Sequence, residues 1–429
     1  MTSHTTAGPP APTRPHTSLP TGAPAGTAPG SPTGTGTGSP TAPAPADTAP
    51  GAPAGTEAQP PAGAAGAAGA AGAQGPGHRE RARERLWTAV QARSEHAAAA
   101  VCFEALDAGM PLEDVLLDVI GPVQAKVGQE WAAGRITVAQ EHAATAIHDR
   151  VIAAAAHRTP HQAPAPLARV TVACVEGEWH ALPARILAEV LRGRGFAVDF
   201  LGAQVPTPHL IAHLHQTGPD VVALSSSLPT RLPTAHAAIT AVQAIGLPVL
   251  AGGAAFGPQG RYARLLGADG WAPDARAAAD VLATRLERPA HALHQPPGDL
   301  PHLADQEYTL VTRTAPRLVA GVLAALEDRI PPMRDYTEQQ RERTAEDIAH
   351  IVDFLAASLY TDDPALFTGF TTWTADILTA RGVPPTVLSP ALDLLAGELG
   401  DFPRALTHLH AARTALNTRP TVPGPGNHA

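Results

Sequence analysis

Residues 169–180 read Arg-Val-Thr-Val-Ala-Cys-Val-Glu-Gly-Glu-Trp-His, an apolar run of strand length that ends in a polar loop. Arg169–Val175 predicts a short strand, and the pattern that follows repeats the theme. Ala181–Arg194 reads as a helix closed by Gly195, and Ala197–Leu201 as a second strand. Pro208–Gln216 is a helix, Val221–Ser225 a third strand, Pro233–Ala244 a helix and Pro248–Ala251 a fourth strand. Gly260–Leu266, the short Gly270–Ala272 and Ala275–Leu286 complete a helix–strand–helix close. Strands alternating with helices require a parallel sheet covered on both faces, a Rossmann-like, doubly wound domain over residues 167–287. In such sheets ligands bind beyond the carboxyl ends of the strands, so chemistry is expected in the loops after Val175, Leu201, Ser225 and Ala251.

Outside this domain the period changes. Residues 1–77 are Pro, Gly, Ala, Ser and Thr with almost no large apolar side chains. Such a tail cannot bury enough surface to offset its ordering entropy, and disorder is expected there. Residues 78–159 read as a four-helix bundle: Arg79–Ala100, a helix ended by Gly109, one opened by Pro111 with Glu113 and Asp114 in its first turn, and Ile136–Ala155. Pro160–Pro166 and Arg288–Asp299 are Pro-rich linkers. Residues 301–417 are all-helical, with Thr337-Glu-Gln-Gln340 in capping-box form ahead of a helix to about Tyr360, and Gly382-Val-Pro-Pro385 as a break. The fold class is therefore multidomain α and α/β.

The formal net charge is −9 and only 16% of residues are charged, with no basic stripe. A nucleic-acid binder needs a positive surface, so direct DNA binding is not expected. Two cysteines, Cys102 and Cys174, make neither a disulfide framework nor a metal cluster, and both read as small buried hydrophobes. No secretory signal and no apolar run of spanning length is apparent, which predicts a cytoplasmic protein with no membrane contact.

His180 lies where a histidine can project from the carboxyl edge of the sheet, and neutral imidazole is a good transition-metal ligand. Glu178 can take a hydrogen bond from the other ring nitrogen and fix the tautomer. Taken alone, an ordinary surface histidine is the simpler reading. The third strand ends in Leu224-Ser-Ser-Ser-Leu228, which offers hydroxyls, and the fourth in Ala251-Gly-Gly253, where a missing side chain lets a ligand approach.

Together these loops resemble the cobalamin-binding fold of methionine synthase and its relatives. That family carries an acidic residue, a spacer, the ligand histidine, two spacers and a glycine, then a serine loop and a Gly-Gly. Glu178, His180, the loop Ser225–Leu228 with Ser227, and Gly252-Gly253 match in order, while the family's glycine is Pro183 here. Proline tolerates a first helical turn. The resemblance implies that His180 is the lower cobalt ligand, and that the Glu178–Leu182 segment, with Trp179, Ala181 and Leu182, lies against the cofactor. It also implies that the nucleotide tail runs past the serine and Gly-Gly loops.

The bundle carries Trp131, nine further residues, then Glu141-His142. The stretch 131–145 resembles the cap of the adenosylcobalamin photoreceptors that repress carotenoid genes, and the likeness covers about residues 79–286. It implies that Trp131 packs over the upper corrin face and that Glu141 and His142 contact the adenosyl group. Read without the resemblance, Trp131 is core and Glu141-His142 a solvated pair. Those photoreceptors carry an N-terminal helix-turn-helix, where this chain has its low-complexity tail. Some also place a histidine after the tryptophan, where this chain has Ala132.

Residues 333–355, through their helix layout and the Asp347–Phe354 segment, resemble the globin-like domain of photocobilins, which pair cobalamin with a bilin. This implies biliverdin as a second chromophore, with Arg334, Tyr336 and His350 as candidate contacts and no cysteine for a thioether. A helical dimerisation domain with a core His350 is the alternative. The expected function is a cobalamin photoreceptor, not itself an enzyme, that binds tetrapyrroles, assembles as a homodimer and regulates a protein partner. A corrinoid methyl carrier is the alternative from another class: it needs an accessible upper face, which the Trp131 cap would cover. A mutase subunit lacks its substrate barrel here.

Overall fold

The computed structural model describes residues 76–159, 166–284 and 300–419. The low-complexity tail and the two Pro-rich linkers expected from the sequence lie, but for a residue or two at their edges, outside the described residues.

The cap is built from α1 (Pro76–Gln91), α2 (Glu95–Asp107), a rod of α3 (Leu112–Asp114), a π-helical stretch (Val115–Ile120) and α4 (Gly121–Ala132), and then α5 (Val138–Arg158). The single helix expected over Arg79–Ala100 is in fact two. Arg93 turns left-handed at φ 55°, and the Ser94 hydroxyl accepts from Ala97 N–H to start α2. The alanine-rich register runs straight across this corner, so periodicity hides it, whereas the serine cap marks it. In the rod, Pro122 has no N–H to offer the carbonyl of Asp118, and Arg83 Nε donates to that carbonyl at 2.5 Å. Thr137 and Gln140 form a capping box that opens α5 just after the Trp131 corner.

The middle domain is a five-stranded parallel sheet in the order β2-β1-β3-β4-β5, with β1 (Arg169–Cys174), β2 (Ala197–Gly202), β3 (Val221–Ser225), β4 (Val249–Gly252) and β5 (Gly270–Ala272). Its helices are α6 (Leu182–Gly193), α7 (Thr207–Thr217), α8 (Leu232–Ala244), α9 (Arg261–Leu265) and α10 (Ala275–Ala283). The three central strands are buried almost throughout, as a sheet covered on both faces demands. Strand order reverses between β1 and β3. The loops leaving those two strands therefore diverge and open a crevice at the carboxyl edge.

The five C-terminal helices among the described residues are α11 (Glu307–Arg329), α12 (Glu338–Thr361), α13 (Pro364–Ala380), α14 (Leu388–Glu398) and α15 (Pro403–Asn417). The capping box read at Thr337–Gln340 is present. Helix α11 is long and apolar enough by composition to cross a membrane. Its Val311, Leu318, Val322 and Leu326 instead share a core with Ile348, Val352, Leu355 and Leu359 of α12.

The two helical domains cover opposite faces of the sheet domain. The cap shares its core with α6 and α10, whereas Ala357, Tyr360 and Leu366 of the C-terminal domain join the core of α7, α8 and α9. An ion-pair lattice fastens the cap. Arg276 on α10 reaches Glu113, Asp114 and Asp118 at 2.8–3.1 Å, and Arg194 bonds both Glu113 and Asp280. On the other face Asp363 accepts from Tyr262 Oη and pairs with Arg261 at 2.9 Å.

Candidate cofactor site

The loop after β1 is organised around Glu178, which is fully buried. Its Oε1 accepts from the backbone N–H of His180 at 2.9 Å and from His180 Nδ1 at 2.6 Å. Its Oε2 accepts from Ser227 N–H at 2.6 Å, Leu228 N–H at 3.1 Å and Ser226 Oγ at 3.2 Å. Burial alone would raise this carboxyl's pKa, but the bonds from His180 and Ser227 outweigh it and hold the group down at about 2. One carboxylate therefore locks the β1 loop to the β3 loop and orients the imidazole.

With Nδ1–H committed to Glu178, Nε2 of His180 is the free donor atom, and it has no partner among the described residues. The side chain is 56% exposed, toward the mouth of the crevice. The hydrogen bond to Glu178 raises the imidazole pKa against the opposing effect of burial, and the same basicity strengthens Nε2 as a ligand. A carboxylate-held imidazole with one open nitrogen is the donor chemistry a cobalt centre needs, so the residues present fit the group.

Ser225, Ser226 and the Gly-Gly turn pack closely against one another. Gly253 sits at φ +101°, and a Cβ there would meet the Ser226 carbonyl oxygen at 2.2 Å. The missing side chain thus admits the backbone of the β3 loop. Gly252, whose Cβ would stand 3.7 Å from Ala272 O, has ordinary room. Ser225 and Ser226 are buried, whereas Ser227 and Leu228 are half-buried at the crevice rim. Pro183 falls in the first turn of α6 and the helix forms around it. Leu182 turns into the core shared with the cap, while Trp179 stands 57% exposed.

The cap presents its corner across the crevice. Trp131, near the end of α4, lies 6.3 Å from the Trp373 ring on α13, with the Arg381 guanidinium 5.5 Å from its own centroid. Glu141, in the first turn of α5, accepts from Thr145 Oγ1 at 2.8 Å, and its charge is felt at His180. His142 is exposed, with Nδ1 against Val138 O. Glu141 of the cap and His180 of the sheet domain therefore lie near enough for their charges to interact.

The three candidate bilin residues are not gathered. Arg334 is exposed and pairs with Asp328, and Tyr336 is exposed too; both precede α12. His350 lies twelve residues into that helix, about 18 Å along its axis at 1.5 Å per residue. It is partly buried, and its pKa is lowered, chiefly by burial; Asp353 and Arg231 lie close enough for their charges to reach it. Sequence reading also missed Trp373, Arg381, Arg231 and Asp347. Trp373, Arg381 and Arg231 act across domain seams, and Asp347 between two helices of the C-terminal domain, none of which a local pattern reveals. Glu141, Thr145 and His148, by contrast, share one helical face at i, i+4 and i+7, a signal the periodicity did contain.

Parts of the chain are similar to known proteins. Residues 168–280 match the B12 binding domain family, and residues 82–155 match a second B12 binding domain family. Over 182 residues the chain is 34% identical to the HTH-type transcriptional repressor CarH of Myxococcus xanthus; the match covers 42% of this chain and 59% of the repressor. Similar solved structures include the monomethylamine corrinoid protein of Methanosarcina barkeri, at 18% identity and TM-score 0.43 over 48% of this chain and 99% of that one. Another is the methanol:cobalamin methyltransferase complex MtaBC of the same organism, at 18% identity and TM-score 0.26 over 52% and 87%. The resemblance to cobalamin-dependent photoreceptors drawn from the sequence is borne out at the level of the family. The cap and the sheet domain are thus each similar to a B12 binding domain family, and the chain spans 59% of the length of the repressor it matches.

Proposed function

We propose that the chain is a light-responsive regulator that holds adenosylcobalamin between cap and sheet. The observation that supports this reading is His180 Nε2, left open by the Glu178 bond, with the cap carboxylate Glu141 near enough for its charge to reach the imidazole. In this reading His180 ligates cobalt from below, and Trp131, Glu141 and His142 cover the upper ligand. When bound, the cofactor supplies a cobalt–carbon bond that light can break. The chain's own part is to position and shield that bond. Ala132 offers no second imidazole beside Trp131, so the response is carried by packing instead. Trp131 is gripped from α13 through Trp373 and Arg381, which makes the C-terminal domain the natural receiver of a change at the upper face. Biliverdin, as a second chromophore, belongs in this reading to the same domain, near His350 at its seam with the sheet domain, and without a thioether because both cysteines lie elsewhere.

The test is the absorption spectrum of full-length protein prepared in the dark with adenosylcobalamin and biliverdin, before and after green and then red light. An irreversible change of the cobalamin bands under green light, lost in His180→Ala together with cofactor retention, is the expected result. An added red band reports the bilin. Bound cobalamin no more photolabile than free methylcobalamin would refute the photoreceptor and point to a methyl carrier.

A further inference from the structure

Four cap side chains form one directed hydrogen-bond series. His148 is fully buried on α5, and its Nδ1 lies 2.6 Å from Gln124 Oε1 on α4. An amide oxygen only accepts, so Nδ1 carries the proton. Gln124 Nε2 donates to Thr145 Oγ1 at 2.8 Å. The single hydroxyl proton of Thr145 is thereby released to Glu141 Oε1, also at 2.8 Å. Turning the amide over would make Gln124 and Glu141 compete for that one proton, and would require His148 Nδ1 to accept. Nε2, buried and partnerless, would then have to carry the proton into an apolar site. Burial lowers the His148 pKa to about 4, so the ring stays neutral and the direction holds near neutral pH. At the far end, Glu141 Oε2 has only His142 Nδ1 close by, at 2.9 Å, and keeps lone pairs for a ligand.

We infer that Gln124, Thr145 and His148 are positioning residues that hold the Glu141 carboxylate as a fixed acceptor over the upper face, and so select upper ligands that carry hydroxyl donors. The inference rests on the proposed cobalamin site. A carboxylate that is already charged and already aimed gains from a hydroxyl-bearing group such as a ribose, and gains nothing from a methyl group. An unheld Glu141, at the start of an exposed helical turn, would lose part of that gain to side-chain entropy.

The experiment compares dark dissociation constants of adenosylcobalamin and methylcobalamin on the full chain, as wild type, Thr145→Val, Thr145→Ser and Gln124→Met. The preference for the adenosyl form should fall about tenfold in Thr145→Val and Gln124→Met, the scale of one hydrogen bond to a charged group. Thr145→Ser should retain it. A 2′-deoxyadenosyl analogue should show a smaller difference between wild type and Thr145→Val. Simple loss of packing weakens both cobalamins alike, so an unchanged ratio in both disrupting variants overturns the relay while leaving the cofactor site standing. A wild type that binds neither cobalamin overturns the site itself, and the relay with it.

Discussion

Replacing Asp347 with Asn should make the protein more stable, by a margin that grows as pH rises from about 4 to about 7. Asp347 lies on α12, with Oδ1 buried and unpartnered. Burial, with help from Glu346 and against Arg381 and Arg343, raises its carboxyl pKa from 3.8 to about 7. At about 1.4 kcal/mol per unit, that shift corresponds to about 4 kcal/mol. The side chain is only partly buried, and solvent screening reduces the useful figure to ~2 kcal/mol. Because the folded pKa lies above the unfolded one, the contribution is present in full below pH 3.8 and is lost as pH rises through about 7. Asparagine does not titrate. Wild type and Asp347→Asn should therefore converge near pH 4 and separate toward pH 8, with the variant ahead by ~2 kcal/mol, or roughly 4–8 °C in melting temperature. Melting curves in buffers from pH 4 to pH 8 read this directly. Parallel curves across that range would show that Asp347 is solvated or paired, and would refute the reasoning.

Four further outcomes follow from the same geometry. Glu178→Gln leaves at least one of its backbone or imidazole donors unpaired, and should cost ~3 kcal/mol in chemical denaturation and weaken cobalamin retention. Gly253→Ala forces an alanine to φ +101° with its methyl against Ser226 O, and should be among the most destabilising single changes in the sheet domain, with Gly252→Ala a mild control. Arg276→Met removes the hub that joins Glu113, Asp114 and Asp118, and should speed amide exchange in the cap far more than in the sheet, an effect that high salt should reproduce in the wild type. Tyr262→Phe removes the donor to Asp363 and should cost ~2 kcal/mol, with loosening confined to the C-terminal domain in hydrogen exchange.

The sheet domain was open to reading because its physics is local. A strand buried on both faces reads as a nearly continuous apolar run, as Val221–Leu224 does and Val170–Cys174 does apart from Thr171, and each break is punctuated by glycine, proline or a polar cluster. The order of its elements came through to within a residue or two at most ends. His180 and the carboxylate that holds it were readable because they are two residues apart on one loop. Gly253 was legible as a point of close approach, but a glycine does not say what approaches, and the Ser226 backbone does so here. The split at Arg93 failed for the opposite reason, since alanine fits both sides of a corner without disturbing the register.

What could not be read is what lies between domains. Trp131 scores as an ordinary cap residue in sequence, yet it is Trp373 and Arg381, more than two hundred residues later, that flank it. Phe370 stacks on Phe354 at 3.8 Å and lies 6.5 Å from Trp373, so the contact at Trp131 continues through aromatic rings to α12. The same helix carries Asp347, whose charge acts on Arg381, and reaches Arg231 through His350 and Asp353. Arg231 in turn lies within 3.0 Å of where a Cβ on Gly177 would sit, in the loop that holds His180. One helix of the C-terminal domain therefore touches both walls of the crevice by separate routes. A displacement at either wall changes the packing of α12, and a rigid α12 in turn restrains both walls, the reciprocity that coupling between two sites requires.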